Sequence, residues 1–186
     1  MTNEPNSLTG ASISPWKELS RSTVFEKFGR GIDEVVFELP TGQQDSFYIK
    51  TERPATCVLA LTEAQKVVIA KQYRPGPGEV LLELPGGYID HGENPAEAMH
   101  RELLEETGYD GKVSLVATAY DDAYSNLVRT CFVATGCRKI QEPQHEATEF
   151  IELVEITLDE FRDLLRSGRM TDIEVGYLGL DYLKLL

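Results

Sequence analysis

Residues 86–111 read GGYIDHGENPAEAMHRELLEETGYDG, and this stretch decides the fold. It gathers Glu93, Glu97, Glu102, Glu105 and Glu106 around a helix with clear start and stop signals. Asn94 is a good N-cap, Pro95 suits the first helical position, and Gly108 supplies the C-terminal stop after Thr107. The pattern predicts a helix from Pro95 to Thr107 whose partial apolar face carries Ala98, His100/Arg101, Leu103 and Leu104. Glu102, Glu105 and Glu106 stand at i, i+3 and i+4 and share one side of that helix. Like charges at such spacing repel by about 0.2–0.5 kcal/mol per exposed pair. Two readings fit the residues alone: a solvated acidic face, or an oxygen-only ligand set of the kind a hard cation such as Mg²⁺ or Mn²⁺ requires. The Gly86-Gly87 turn before the helix would let backbone approach a metal or phosphate with no Cβ in the way.

Outward from the helix, the chain reads as strands on both sides. Residues 1–14 are small, polar and Pro/Gly/Ser-containing, which predicts a disordered tail. Residues 15–50 hold WKELSRSTVFEKF, DEVVFELP and QDSFYIK, short alternating segments that predict an antiparallel β extension. CVLALT and KVVIAKQYR, separated by TEAQ, read as strands buried on at least one face, and VLLELP as a further strand ending at the Pro85-Gly86-Gly87 turn. After the acidic helix, KVSLVATAY, LVRTCFVAT and EFIELVEI return to strand character. Thr157 and Glu160 form a capping box opening the helix FRDLLRSG, and a last helix runs roughly from residue 172 to 185. This order predicts a mixed-sheet α/β layered domain over residues 51–186.

Composition narrows the partners. The 186 residues carry 18 basic and 31 acidic side chains, a net charge of −13, with 41% hydrophobic residues. That balance argues against nonspecific attachment to nucleic acid or an anionic membrane. No apolar run approaches the ~20 residues of a membrane span. MTNEPNSLTGASISP lacks the basic and apolar regions of a signal peptide. Cys57, Cys131 and Cys137 lack metal-type spacing and read as buried strand thiols, which together with the leader's absence predicts a cytoplasmic protein.

Gly87, Glu93, Arg101-Glu102, Glu105-Glu106 and Gly108, at these spacings, resemble the signature of the Nudix hydrolases at every fixed letter, with Tyr109 standing where the family prefers an aliphatic residue. The resemblance implies a Nudix-type α/β/α sandwich and metal-assisted hydrolysis of a nucleoside diphosphate linked to another moiety. By position it implies Glu102 and Glu106 as principal metal ligands and Glu105 as a further ligand with a catalytic part, with the Gly86 carbonyl beside them. It gives Gly87, Glu93, Arg101 and Gly108 structural roles, the Arg101–Glu93 pair orienting the carboxylates. QEPQHEATEF is similar to the acidic loop of ADP-ribose pyrophosphatases, which implies Glu146, then Glu149, as the residue serving the water, with His145 a chemical alternative.

KQYRPGPGEVLLELPGGYIDHGE, Thr51-Glu52-Arg53 and the tail RSGRMTDIEVGYLGLDYL also resemble that branch. The likeness implies Arg53 and Arg74 as phosphate grips, a nucleoside diphosphate sugar such as ADP-ribose as substrate, and a homodimer formed through the N-terminal strands. One feature dissents. Tyr124 stands near the place where those enzymes carry a proline, and a tyrosine there is similar to diadenosine-polyphosphate hydrolases. Tyr124 is thus read either as stacking on a base or ribose or as packing in the sheet layer, with Phe47 and Tyr48 as further stacking candidates. Other readings are a nucleoside triphosphate hydrolase and a Nudix-fold sensor that binds a nucleotide sugar without cleaving it.

Overall fold

The computed structural model describes residues 13–145 and 150–186. The chain divides into two compact units that part between Thr51 and Glu52. The first unit carries a three-stranded sheet in the order β1 (Lys17–Lys27), β2 (Arg30–Glu38), β3 (Gln44–Glu52), with β1 and β2 antiparallel. Trp16, Phe37 and Phe47 pack ring against ring, with centroids 5.2–6.0 Å apart. Phe47 is therefore engaged in this cluster, whereas Tyr48 is exposed. Every residue of β1 is exposed, Val24 and Phe25 among them.

The second unit is a mixed sheet between helices. Its strand order is β10 (Glu152–Thr157), β5 (Lys66–Arg74), β4 (Ala55–Thr62), β9 (Val128–Lys139), β8 (Tyr109–Tyr120); β6 (Glu79–Glu83) joins β5 and β7 (Gly86–Tyr88) joins β4. β4 and β9 run parallel, and the remaining pairs of this sheet run antiparallel. β4 is buried on both faces, as its unbroken apolar run CVLALT requires. Successive side chains divide between two cores. Cys57, Leu59 and Leu61 meet Phe161, Leu165, Val175 and Leu180 of helices α2 (Leu158–Ser167) and α3 (Ile173–Tyr182). Val58 and Ala60 meet Met99 and Leu103 of helix α1 (Pro95–Thr107) on the other face. The three cysteines are buried in β4 and β9, as their strand setting predicted.

Two local differences from the sequence reading matter for the site. Gly86–Tyr88 is a three-residue strand paired with Ala55–Cys57, where the sequence suggested only a turn. Glycine pairs are poor strand formers alone, but the neighbouring β4 edge supplies the hydrogen bonds. In α1 the buried face is Ala98, Met99, Leu103, Glu106 and Thr107, so Met99 belongs to it and the His100 position does not. Among described residues β4 and β5 pair in register only at Leu61↔Val67. Beyond that point β6 pairs with β5 and β7 pairs with β4. The acidic helix packs against β7, β4 and β8. Among the described residues, no helix is long and apolar enough to cross a membrane.

Thr157 caps α2 with the reciprocal bonds expected: its hydroxyl accepts from Glu160 N at 3.2 Å, and Glu160 Oε2 accepts from Thr157 N at 2.7 Å. Thr157→Ala is expected to lower the unfolding free energy by about 1 kcal/mol, measured by urea denaturation at neutral pH. The bond from the Thr157 backbone, then its hydroxyl, holds the Glu160 carboxyl below the usual range. A depressed acid stabilises above its unfolded pKa and loses that contribution as pH falls through the folded value. The stability gap between wild type and Glu160→Gln should therefore close on acidification.

Candidate active site

Helix α1 is aimed by its two ends. Asn94 Oδ1 accepts from Ala96 N at 2.8 Å at the start. At the finish Gly108 sits at φ 73° and donates its N–H to Leu104 O at 2.8 Å. A Cβ at Gly108 would lie 2.1 Å from Gln141 O, so only glycine lets the loop after β9 come this close. That loop is stitched to the helix end. Ile140 N donates to Gly108 O at 2.9 Å, Gln144 N to Glu105 O at 2.7 Å, and His145 Nε2 lies 2.8 Å from Glu106 O. His145, expected as a solvated loop residue or a base, is anchored to the last turn of α1. Glu146 and Glu149 lie outside the described residues.

The acidic side of α1 faces β7. Glu106, only 9% exposed, accepts from Gly86 N at 2.9 Å through Oε2. Glu102 lies against Gly87 so closely that a Cβ there would sit 2.3 Å from its Cδ. Two carboxylates on successive turns thus meet two successive glycines. Arg101 holds the rest of the group together. Its Nε and Nη2 each bond Glu93 at 3.0 Å, Nη1 bonds Glu102 at 2.8 Å and Glu105 at 3.2 Å, and Nη2 also reaches Tyr88 O at 3.2 Å. Glu93 also accepts from Asp90 N at 3.0 Å, closing the loop before the helix. Hydrogen bonding to Arg101 is the main cause holding the Glu93 carboxyl low, with the Asp90 backbone second. The same Glu93 bonds, with Glu102 and Glu105 adding, raise the Arg101 guanidinium against the effect of burial.

Among the described residues, no three His, Cys, Asp or Glu side chains stand as a ready group for a metal ion. Like charges this near repel, on the order of 4 kcal/mol per pair at 4 Å and effective ε near 20, and each carboxylate instead has a donor. Glu102 and Glu105 turn to Arg101, and Glu106 turns to a backbone N–H. The donors nevertheless suit a hard divalent cation. All are oxygens, Glu102 and Glu106 converge on β7 instead of splaying into solvent, and the glycines leave room that a Cβ would fill.

The remaining candidates share this end of the domain to different degrees. Arg53 donates from Nη1 to Asp90 at 3.2 Å and lies 4.6 Å over the Tyr88 ring. Arg74 is clamped by Glu83, with Nε 2.9 and 2.8 Å from its two oxygens and Nη2 2.5 Å from Oε2. Tyr124 is exposed on the loop from β8 to β9, which Asn126 Oδ1 ties to Glu52 N at 2.8 Å. Tyr124 therefore does not pack in the sheet layer. Tyr109 donates to Glu155 at 2.5 Å while its ring packs beside the α1 core, so the departure from an aliphatic residue is accommodated. Sequence reasoning missed Tyr88, Asp90 and Glu83. Glu83 carried a faint signal, a charged residue inside the apolar run VLLEL, whereas nothing in the letters marked the Tyr88 carbonyl.

Fold and site together define an α/β/α domain built around a braced acidic loop and helix. Residues 51–175 match the NUDIX domain, and the chain belongs to the Nudix family and is a Nudix hydrolase. It is 30% identical over 174 residues to the ADP-ribose pyrophosphatase of Bacillus subtilis (strain 168), a match covering 91% of this chain and 92% of that one. It is 33% identical over 156 residues to the methanol dehydrogenase activator of Bacillus methanolicus, covering 80% and 83%. A crystal structure of an ADP compounds hydrolase superposes with a TM-score of 0.80 at 21% identity, over 94% of this chain and 97% of that one, a likeness of fold.

Gly87→Ala should displace Glu102. The expected result is Mn²⁺ affinity at least about tenfold weaker by calorimetry, with the far-UV spectrum unchanged; unchanged affinity would separate Gly87 from the ligand geometry.

Proposed function

We propose that the protein hydrolyses the pyrophosphate bond of ADP-ribose or a related nucleoside diphosphate sugar, releasing a nucleoside monophosphate and a sugar phosphate, with Mg²⁺ or Mn²⁺ as cofactor. The observation that carries the reading is the convergence of Glu102 and Glu106 on the Gly87 and Gly86 backbone. The relatedness over nine-tenths of the chain to a protein named for ADP-ribose supports the substrate class.

In this reading Glu102, Glu105 and Glu106 hold the cation, with the Gly86 carbonyl beside them. A divalent ion held there would neutralise the diphosphate and make water a better nucleophile. Arg101 and Glu93 keep the carboxylates in register. Arg74 and Arg53 grip phosphate oxygens, and Tyr124, exposed at the same end as Arg53, offers a ring to the base or ribose. Glu146 takes the water proton, with Glu149 the second choice for that role. Gln144 and His145 are bonded to the Glu105 and Glu106 carbonyls in the last turn of α1.

We propose in addition that the molecule works as a homodimer through its N-terminal strands. Trp16, Val24, Phe25 and Phe28 are exposed along β1 and its turn, Phe28 by 85%. Among the described residues β1 is paired on one edge only, by β2, and an edge strand with exposed apolar side chains favours association. Light scattering should give twice the mass of the 20.8 kDa chain, and a monomer would remove this part of the reading.

The activity test is direct. ADP-ribose, other nucleotide sugars and diadenosine polyphosphates are incubated with the protein in Mg²⁺ or in chelator. Turnover of a nucleotide sugar with metal and none with chelator is expected; no turnover of any of them with metal present would sink the proposal. Glu106→Gln should reduce kcat by at least about a hundredfold while thermal unfolding stays cooperative.

A further inference from the structure

The Arg74–Glu83 pair has a feature that phosphate gripping alone does not require. Glu83 is 1% exposed, as deeply buried as the leucines of the core. A carboxyl group there has lost its hydration and needs hydrogen-bond donors in its place. Gln72 Nε2 donates to Oε2 at 3.0 Å, and Arg74 contributes Nε and Nη2. Both donors come from β5. Glu83 on β6 stands opposite Ala70, and Gln72 and Arg74 follow at two and four residues along the same face. The bond to Arg74 closes only with the arginine side chain laid back along its strand, toward Glu83 and the Gly86-Gly87 stretch that follows.

A buried ion pair adds little net stability over apolar residues of similar size, and its distinctive effect is directional. Here it fixes the guanidinium by its Nε–Nη2 edge. Among the described residues Nη1 takes no protein acceptor, and the side chain as a whole stays 43% exposed while that of Glu83 is 2% exposed. Burial lowers the Arg74 guanidinium, and Glu83 raises it by hydrogen bond and by charge, with Glu106 and Asp172 adding less. Glu83 precedes by three residues Gly86, whose N–H bonds Glu106, so the pair stands along the chain beside the acidic helix.

We propose that Glu83 is a positioning residue for substrate capture: it orients Arg74 so that the free edge of its guanidinium meets a non-bridging oxygen of the diphosphate held at the acidic helix. This rests on the reading of the protein as a diphosphate hydrolase with Arg74 as a phosphate grip. The bland alternative is a tie between β5 and β6 with no bearing on the substrate.

The experiment measures kcat and KM for ADP-ribose with Mg²⁺ in wild type, Glu83→Gln, Arg74→Gln, Arg74→Lys and the double variant Glu83→Gln/Arg74→Gln. Glu83→Gln is expected to raise KM by about tenfold with kcat within about threefold of wild type. The double variant should be no worse than Arg74→Gln alone, because a residue acting through Arg74 has nothing left to act on. Arg74→Lys should resemble Arg74→Gln, since an ammonium keeps the charge but cannot make the fork. An unchanged KM in Glu83→Gln, or a penalty in the double variant equal to the product of the single ones, overturns the role. If Glu83→Gln does not fold, the lysine variant decides: a wild-type KM there overturns the proposal, and a KM matching Arg74→Gln supports it. Normal KM in Arg74→Gln removes the positioning role and leaves the hydrolase reading intact. Absence of turnover by wild type removes the hydrolase reading, and this role with it.

Discussion

A single guanidinium keeps the acidic helix in order. Arg101 reaches Glu93, Glu102, Glu105 and the Tyr88 carbonyl, joining the loop before the helix, the helix itself and strand β7. Without it, three carboxylates within a turn and a half would push one another apart and the loop from Asp90 to Asn94 would lose its tie. Arginine suits this place because a planar fork with several donors can serve carboxylates in different directions, which an ammonium cannot do. Glu106 is fixed separately, by the Gly86 backbone.

The sheet supplies the second half of the arrangement. β4 carries β7 and hence the glycines that receive Glu102 and Glu106. β5 carries β6 and hence Glu83, with Arg74 on β5 itself. One arm presents negative charge and close-approach backbone, and the other presents a held cation. In a chain with a net charge of −13, Arg74 and Arg101 are thus local positive charges held in place by carboxylate partners.

Much of this was legible in the letters. Asn94, Pro95 and Gly108 announced the helix because capping is local chemistry, and the i, i+3, i+4 spacing placed the glutamates on one side because helical geometry is fixed. β4 and β5 were legible as unbroken apolar runs. What escaped was every feature created by pairing between distant segments. The strand at Gly86–Tyr88 exists because β4 offers an edge. The burial of Glu83 depends on β5 lying beside it. Met99 was passed over because a helix side is chosen by the sheet beneath it, and the anchoring of His145 needed the helix end to arrive from forty residues away. Glutamates 146 and 149, read from their place in an acidic loop, rest on resemblance alone.

The pairing of β4 with β5 has a further consequence. The two strands are joined in register at Leu61 and Val67, next to the turn at residues 63–65. Both residues are fully or almost fully buried, so the β4 edge that carries the glycines and the β5 strand that carries Arg74 share one hinge-like tie inside the core. Bulk added at that tie would be felt at both ends without touching either one.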